Sequence, residues 1–240
     1  MSVGNLPFRD PRIEAVLNRL HRQAAADKWK IARRIPLLAW AAARKRLYDP
    51  TFEYNFFHDL YIPVSREQGA MLYLIARAID ARRIVEFGSS FGISAIYLAA
   101  AARDNGGEVI GSELEPSKHA QATENIEDAG LSGYAKILPG DARETFSSIA
   151  GPVDLVLLDG WKAMYIPVIE NLKPKLRSGA IVLADNIFTF KKVLQPFVDY
   201  MQSGENGFAS TTLRISDGFE FSVFVANKRP SAPFSAVRSS

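Results

Sequence analysis

RRIVEFGSSFGISAIYLAA, residues 82–100, decides the fold of this 240-residue chain. RRIVEF is a short apolar run with β-branched residues and reads as a buried strand. FGSSFG then sets Gly88 and Gly92 around a tight turn, where glycine takes positive φ at no steric cost. ISAIYLAA continues as an apolar helix. A strand that runs through glycines straight into a helix opens a β-α unit, and the same alternation extends outward from it.

Downstream, strands are expected at 107–113, 134–138, 153–158 and 179–184. Helices are expected near 93–104, 116–129, 165–176 and 189–202, with a short one after Asp141. Two closing strands, near 210–215 and 219–226, are joined through Ser216, Asp217 and Gly218 and should pair as an antiparallel hairpin. Upstream, VSREQG (64–69) begins a helix, with Ser65 and Gln68 spaced as a capping box. Continuously apolar strands alternating with helices mean a parallel sheet covered on both faces. The expected fold class is α/β, a doubly wound domain.

Residues 10–60 read differently, as helical and basic. Ile13, Val16, Leu17 and Leu20 fall at helical spacing, and Pro36 is expected to kink or break the helix that follows. Such a segment suits an anionic membrane or RNA, but basic helices with solvated charges commonly cover a domain or a partner, and that reading is favoured here. RPSAPFSAVRSS at the C-terminus reads as a loose tail.

Composition removes several function classes. There is no cysteine, so disulfides, zinc–thiolate sites and thiol nucleophiles are excluded, and a reducing compartment is compatible. The net charge of +3, with a pI near 9.1, is too mild to argue for nucleic acid by itself. No apolar run follows a basic start, and IPLLAWAAA (35–43) is too short to span about 30 Å of hydrocarbon. A cytoplasmic protein is expected.

The polar residues sit at the strand ends. Glu86, Glu113, Asp141, Asp159 and the pair Asp185–Asn186 close five successive strands, on the rim where doubly wound sheets bind ligands. Gly88-x-x-x-Gly92 is not the G-x-G-x-x-G of dinucleotide folds, which argues against a nicotinamide enzyme. A merely structural turn is the ordinary reading of an isolated G-x-x-x-G. Glu86, however, stands at its mouth, where a diphosphate would want no acid and a ligand amino group would. Glu113 lies about 20 residues further on, in the place of a ribose-binding acid. Together these favour an adenosine cofactor with an amino-acid end, S-adenosylmethionine.

Asp159, Asp185 and Asn186 offer hard oxygen donors suited to Mg²⁺, with Mn²⁺ and Ca²⁺ as alternatives. A turn-forming Asp159 and a helix cap at Asp185–Asn186 are the plainer explanations. Lys162 adds weight to the metal, because one helical turn from Asp159 would aim it at the same cation. A neighbouring cation disfavours an ammonium, so an amine there can act as a general base.

VSREQG, EFGSSFGISA, GSELEP, GDA, LLDGWKAMY, LADN and SDGFE, in this order, resemble the cation-dependent O-methyltransferases, the family of catechol and caffeoyl-CoA O-methyltransferases. The resemblance covers residues 60–226. It implies a Rossmann-like class I methyltransferase fold, with a mostly parallel seven-stranded sheet and a C-terminal antiparallel hairpin over 61–228. N-terminal helices would form an extension over 1–60, and 229–240 a tail. Val64, Gly88 and Ser94 would line the methionine end of S-adenosylmethionine, Glu86 would take its amino group, and Glu113 its ribose. Asp141 and Ala142 would lie by the adenine, and Trp161 against its face. Asp159, beside the cofactor, would hold Mg²⁺ with Asp185 and Asn186. Lys162 would be the base, and Glu220 would bind the second hydroxyl of a catechol-like acceptor.

The same resemblance implies a homodimer. Gly160 departs from the mammalian catechol enzymes, which carry histidine there. Phe188 and Phe190 stand where acceptors dock, as pocket or as core. FEYNFFHDLYIP (52–63) is the expected acceptor-side loop. Two other readings stay open: a tRNA hydroxyuridine methyltransferase using the basic helices, and a non-catalytic S-adenosylmethionine-binding module.

Overall fold

The computed structural model describes residues 10–44, 52, 56 and 63–225. Its strands are β1 Arg83–Phe87, β2 Glu108–Glu113, β3 Ala135–Pro139, β4 Val153–Leu158, β5 Leu176–Ala184, β6 Phe208–Leu213 and β7 Phe219–Phe224. Its helices are α1 Pro11–Ala43, α2 Arg66–Ala78, α3 Ile93–Asn105, α4 Pro116–Asp128, α5 Ala142–Thr145, α6 Tyr165–Leu172 and α7 Lys191–Gln202. The seven strands form one sheet in the order β3-β2-β1-β4-β5-β7-β6. The first five run parallel, and β7 is antiparallel to both β5 and β6. The doubly wound architecture and the closing antiparallel pair are therefore both present. Strand order reverses between β1 and β4, which sets a crevice at their carboxyl ends.

Alternate residues of each central strand feed opposite faces, as the period of two requires. Ile84, Leu155, Leu157, Ile181 and Leu183 pack with α1, α2, α3 and α4. Val85, Val156, Leu158, Val182 and Ala184 pack with α6 and α7. Helix α3 is buried along Ile93–Ala102, because it lies between the sheet and the outer helices. Its small residues suit that position.

The first half of α1 belongs to the domain. Ile13, Val16, Leu17 and Leu20 join the core against α3 and α4. Arg12 donates to the carbonyls of Glu127 and Asp128, and Arg19 pairs with Asp128.

Three local expectations are corrected. Pro36 does not end α1, which runs unbroken through it. The helix expected over 165–176 stops at Leu172, where Pro174 and its neighbours form a 3₁₀ turn. β5 consequently starts at Leu176, earlier than predicted, with a register shift opposite Val153–Leu155. The tail at 229–240 and most of 52–63 lie outside the described residues. Among the described residues, no helix is long and apolar enough to cross a membrane.

Candidate active site

Register builds the site. Phe87 pairs with Leu158, and Leu158 with Ala184. The next residues on these three strands, Gly88, Asp159 and Asp185, therefore emerge side by side. Backbone bonds hold them level: Asp159 N–H donates to the Phe87 carbonyl at 2.8 Å, and Asp185 N–H to the Leu158 carbonyl at 3.0 Å.

Gly88 has φ of 90°, and a Cβ there would lie 2.5 Å from the Gly160 backbone. A Cβ on Gly160 would in turn strike the Phe87 ring at 2.6 Å. The two strand-end turns thus meet as glycine on glycine. The close approach made by Gly88 is to this neighbouring turn. It also gives a physical reason for glycine at 160.

Glu86 is fully buried at the end of β1. Its Oε2 accepts from Ser89 Oγ at 2.5 Å, while Oε1 is buried with no hydrogen-bond partner among the described residues. Burial pushes its pKa up to about 7, against the smaller opposing effect of the Ser89 and Ser94 hydroxyls. A buried carboxylate oxygen without a donor is costly. A ligand ammonium would supply the missing donor and charge.

Glu113 faces the same turn from β2. Its Oε2 accepts from Ser90 N–H at 2.7 Å and its Oε1 from Glu115 N–H at 2.9 Å. Val64, Gly88, Ser94 and Asp159 line one cleft with Phe91 and Ile93. Asp141 caps α5 and is held by Arg143, whose guanidinium lowers its pKa. Ala142 is buried beside it, and Trp161 is partly buried against the α6–α7 face.

Asp159 and Asp185 form the other half. Burial raises the pKa of both; Asp185 reaches about 7 because the Asp159 charge adds to its own burial. Asp185 Oδ1 accepts from Asn186 N–H at 2.6 Å, and Gln68 Nε2 donates to both its oxygens. Asn186 is in the left-handed region, with φ of 67°. Neither residue caps a helix, since α7 begins at Lys191 with Phe190 as its N-cap.

Lys162 is buried, with Nζ 3.3 Å from Asp159 Oδ1 and 3.0 Å from Tyr165 Oη. Its approach to Asp159 does not use a helical turn, because Trp161 is extended and the 3₁₀ turn starts only at Lys162. Phe190 stacks on the ammonium at 5.5 Å from the ring centre.

Among the described residues, no three His, Cys, Asp or Glu side chains gather as a metal cluster. A cation here would take two carboxylates and the Asn186 amide, which fits a hard ion that keeps open positions. Two carboxylates whose pKa values are both raised by burial are relieved by such a charge.

Glu220 is not brought to this group. It is buried in β7, where Gln202 and Ser210 donate to Oε1 and Thr212 to Oε2. The acidic residue that the turn does present is Asp217. Its charge raises both Asp159 and Asp185, and its Oδ1 holds Thr189 through the backbone N–H and the hydroxyl. Asp217, Gln68 and Tyr165 went unread in the sequence as site residues, although all three lie within quoted motifs. Phe188 is exposed and lies over Gly218. Within 52–63, Phe56 is buried and tied to α1 through Arg34, which donates to its carbonyl.

Residues 85–187 match a family model described as a methyltransferase domain. The catechol O-methyltransferase of Mycobacterium tuberculosis is 38% identical over 128 residues, 52% of this chain and 57% of that protein. The catechol O-methyltransferase of Niastella koreensis is 34% identical over 137 residues, 55% of this chain and 62% of that protein. The match thus spans between 57% and 62% of the length of these two relatives. Among solved structures, the O-methyltransferase TomG from Streptomyces achromogenes, in complex with SAM, superposes with a TM-score of 0.65 at 25% identity. That superposition covers 70% of this chain and 85% of TomG.

Proposed function

We propose that this chain, which carries a methyltransferase domain related to the catechol O-methyltransferases, moves a methyl group from S-adenosylmethionine to one hydroxyl of a catechol-like small molecule. The observation that carries the reading is the level placement of Asp159 and Asp185 with Lys162 between strand ends, beside a buried Glu86 oxygen that has no partner among the described residues.

Glu86 receives the cofactor's amino group, and Glu113 its ribose hydroxyls. Val64, Gly88 and Ser94 flank the methionine end, with Asp141, Ala142 and Trp161 towards the adenine. Asp159, Asp185 and Asn186 hold a divalent cation, Mg²⁺ by choice of donors. Bound there, the cation lowers the pKa of a chelated hydroxyl and fixes its oxygen. Lys162 Nζ takes the hydroxyl proton while the oxygen forms its bond to the methyl carbon and the carbon–sulfur bond breaks. Phe190 and Phe188 wall the acceptor side. Positioning of the two reactants supplies much of the acceleration. Asp217, from the turn before β7, faces the second acceptor oxygen in the role first expected of Glu220. A second copy of the chain completes the assembly as a homodimer, which sedimentation velocity tests.

The test is methyl transfer to caffeic acid with Mg²⁺ and with excess EDTA, for the native chain and for Lys162→Met. Turnover that EDTA abolishes, and that Lys162→Met lowers by about 10²–10⁴-fold with cofactor binding intact, is the expected result. Unchanged turnover in Lys162→Met removes the base assignment. Cofactor binding with no transfer to any catechol moves the acceptor to a larger substrate such as RNA.

A further inference from the structure

Gln68 sits where the two halves of the candidate site meet. It is 3% exposed, on the first turn of α2. Its Oε1 accepts from Ser65 N–H at 2.7 Å. Its Nε2 donates to Asp185 Oδ1 at 3.1 Å and to Oδ2 at 3.2 Å. The neighbours fix the orientation of the amide, since the reverse would oppose donor to donor and oxygen to oxygen. Ser65 follows Val64, which lines the cleft with Gly88, Ser94 and Asp159.

The helix cap alone does not require glutamine. Ser65 Oγ also accepts from Gln68 N–H at 3.1 Å, completing a capping box, and glutamate serves that box equally well. A glutamate here would point a third carboxylate at Asp185, whereas the amide points a donor. We infer that Gln68 is a positioning residue that couples the cofactor cleft to the cation-binding carboxylate. This rests on the cofactor and cation reading proposed above.

The coupling is mechanical. Residues 64 and 65 are anchored to Gln68 through the box, and Asp185 is anchored to the other end of the same amide. A ligand packed against Val64 holds Gln68 in place, and Gln68 then holds Asp185 in one rotamer. A cation on Asp185 acts through the same bonds in reverse, because binding coupling is reciprocal.

The test is calorimetric titration of S-adenosylhomocysteine, which cannot react, into the native chain, Gln68→Met and Gln68→Glu, each with and without saturating Mg²⁺. Native affinity is expected to tighten by about fivefold or more with Mg²⁺, the low end of ordinary coupling. Both variants are expected to lose the effect, with affinities that agree to about twofold at either Mg²⁺ level. Coupling retained in Gln68→Glu but lost in Gln68→Met would assign only the helix cap and overturn the inference. Coupling retained in both, or absent from the native chain, overturns it too. A native chain that binds neither ligand sinks the proposed function itself, and the inference with it. Thermal melts check that each variant folds; if Gln68→Met does not, Gln68→Glu decides, since it keeps the cap.

Discussion

Tyr165 Oη accepts from Lys162 Nζ at 3.0 Å and donates onward to the carbonyl oxygen of Asp185 at 3.2 Å. One buried hydroxyl thus ties the amine of one strand-end turn to the backbone of the other. Its ring is fixed edge-on between Phe87 and Phe197, so the hydroxyl has little freedom to leave. Tyr165→Phe keeps the ring and deletes the bridge. It should cost about 1–3 kcal/mol in urea unfolding, as a buried carbonyl loses its donor. Turnover should fall by about tenfold or more with the KM for S-adenosylmethionine unchanged. A variant with native kcat would show that Lys162 needs no such support.

If Glu86 takes the cofactor's amino group as proposed, cofactor affinity should depend on pH. Burial raises its folded pKa to about 7 from an ordinary value of 4.5. The stability it contributes is present below 4.5 and is lost as pH rises through 7. A bound ammonium requires the ionised form, so binding of S-adenosylhomocysteine should strengthen as pH rises from 6 to 8 and then level off. Glu86→Gln should bind more weakly and show little of this slope. A native chain with the same affinity at pH 6 and pH 8 would count against the pairing.

His21 acts in the opposite sense. It docks α1 against α3 with Nε2 3.3 Å from Tyr97 Oη, and burial lowers its pKa to about 4 from 6.5. The folded state therefore binds fewer protons than the unfolded one between these values. The stability this neutral ring contributes is present above 6.5 and is lost as pH falls through 4. His21→Leu should flatten the fall in Tm between pH 6.5 and 4. An unchanged acid slope would place that loss elsewhere.

Gly160→Ala tests the contact between the two turns. The new methyl would meet the Phe87 ring at 2.6 Å, an overpacking expected to cost about 1–3 kcal/mol. Because Asp159 precedes this position, transfer should decline more than stability alone explains. A fully active and fully stable variant would show that Phe87 yields freely.

The sequence carried the parallel sheet because buried strands are apolar on both faces, and it carried Asp159 and Asp185 because a carboxylate ending such a strand stands out. Glu86 and the glycine turn were legible for the same reason. Gln68 was not, since its partner Asp185 lies 117 positions away and the local pattern is fully explained as a helix cap. Glu220 misled because a motif fixes position along a strand, whereas the pairing of Glu220 with Thr212 and Ala184 decides its neighbours. Pro36 was expected to kink or break its helix, and α1 continues through it to Ala43.

The last strand of the described chain, β7, stands between β5 and β6. During synthesis, β6 leaves the ribosome with no sheet edge of its own to join, and β5 keeps a bare edge until β7 arrives. The turn that delivers Asp217 to Thr189 comes with that same strand. The residues lining the cleft at Val64, Gly88, Ser94 and Asp159 therefore all leave the ribosome before the turn that sets Asp217 against Thr189.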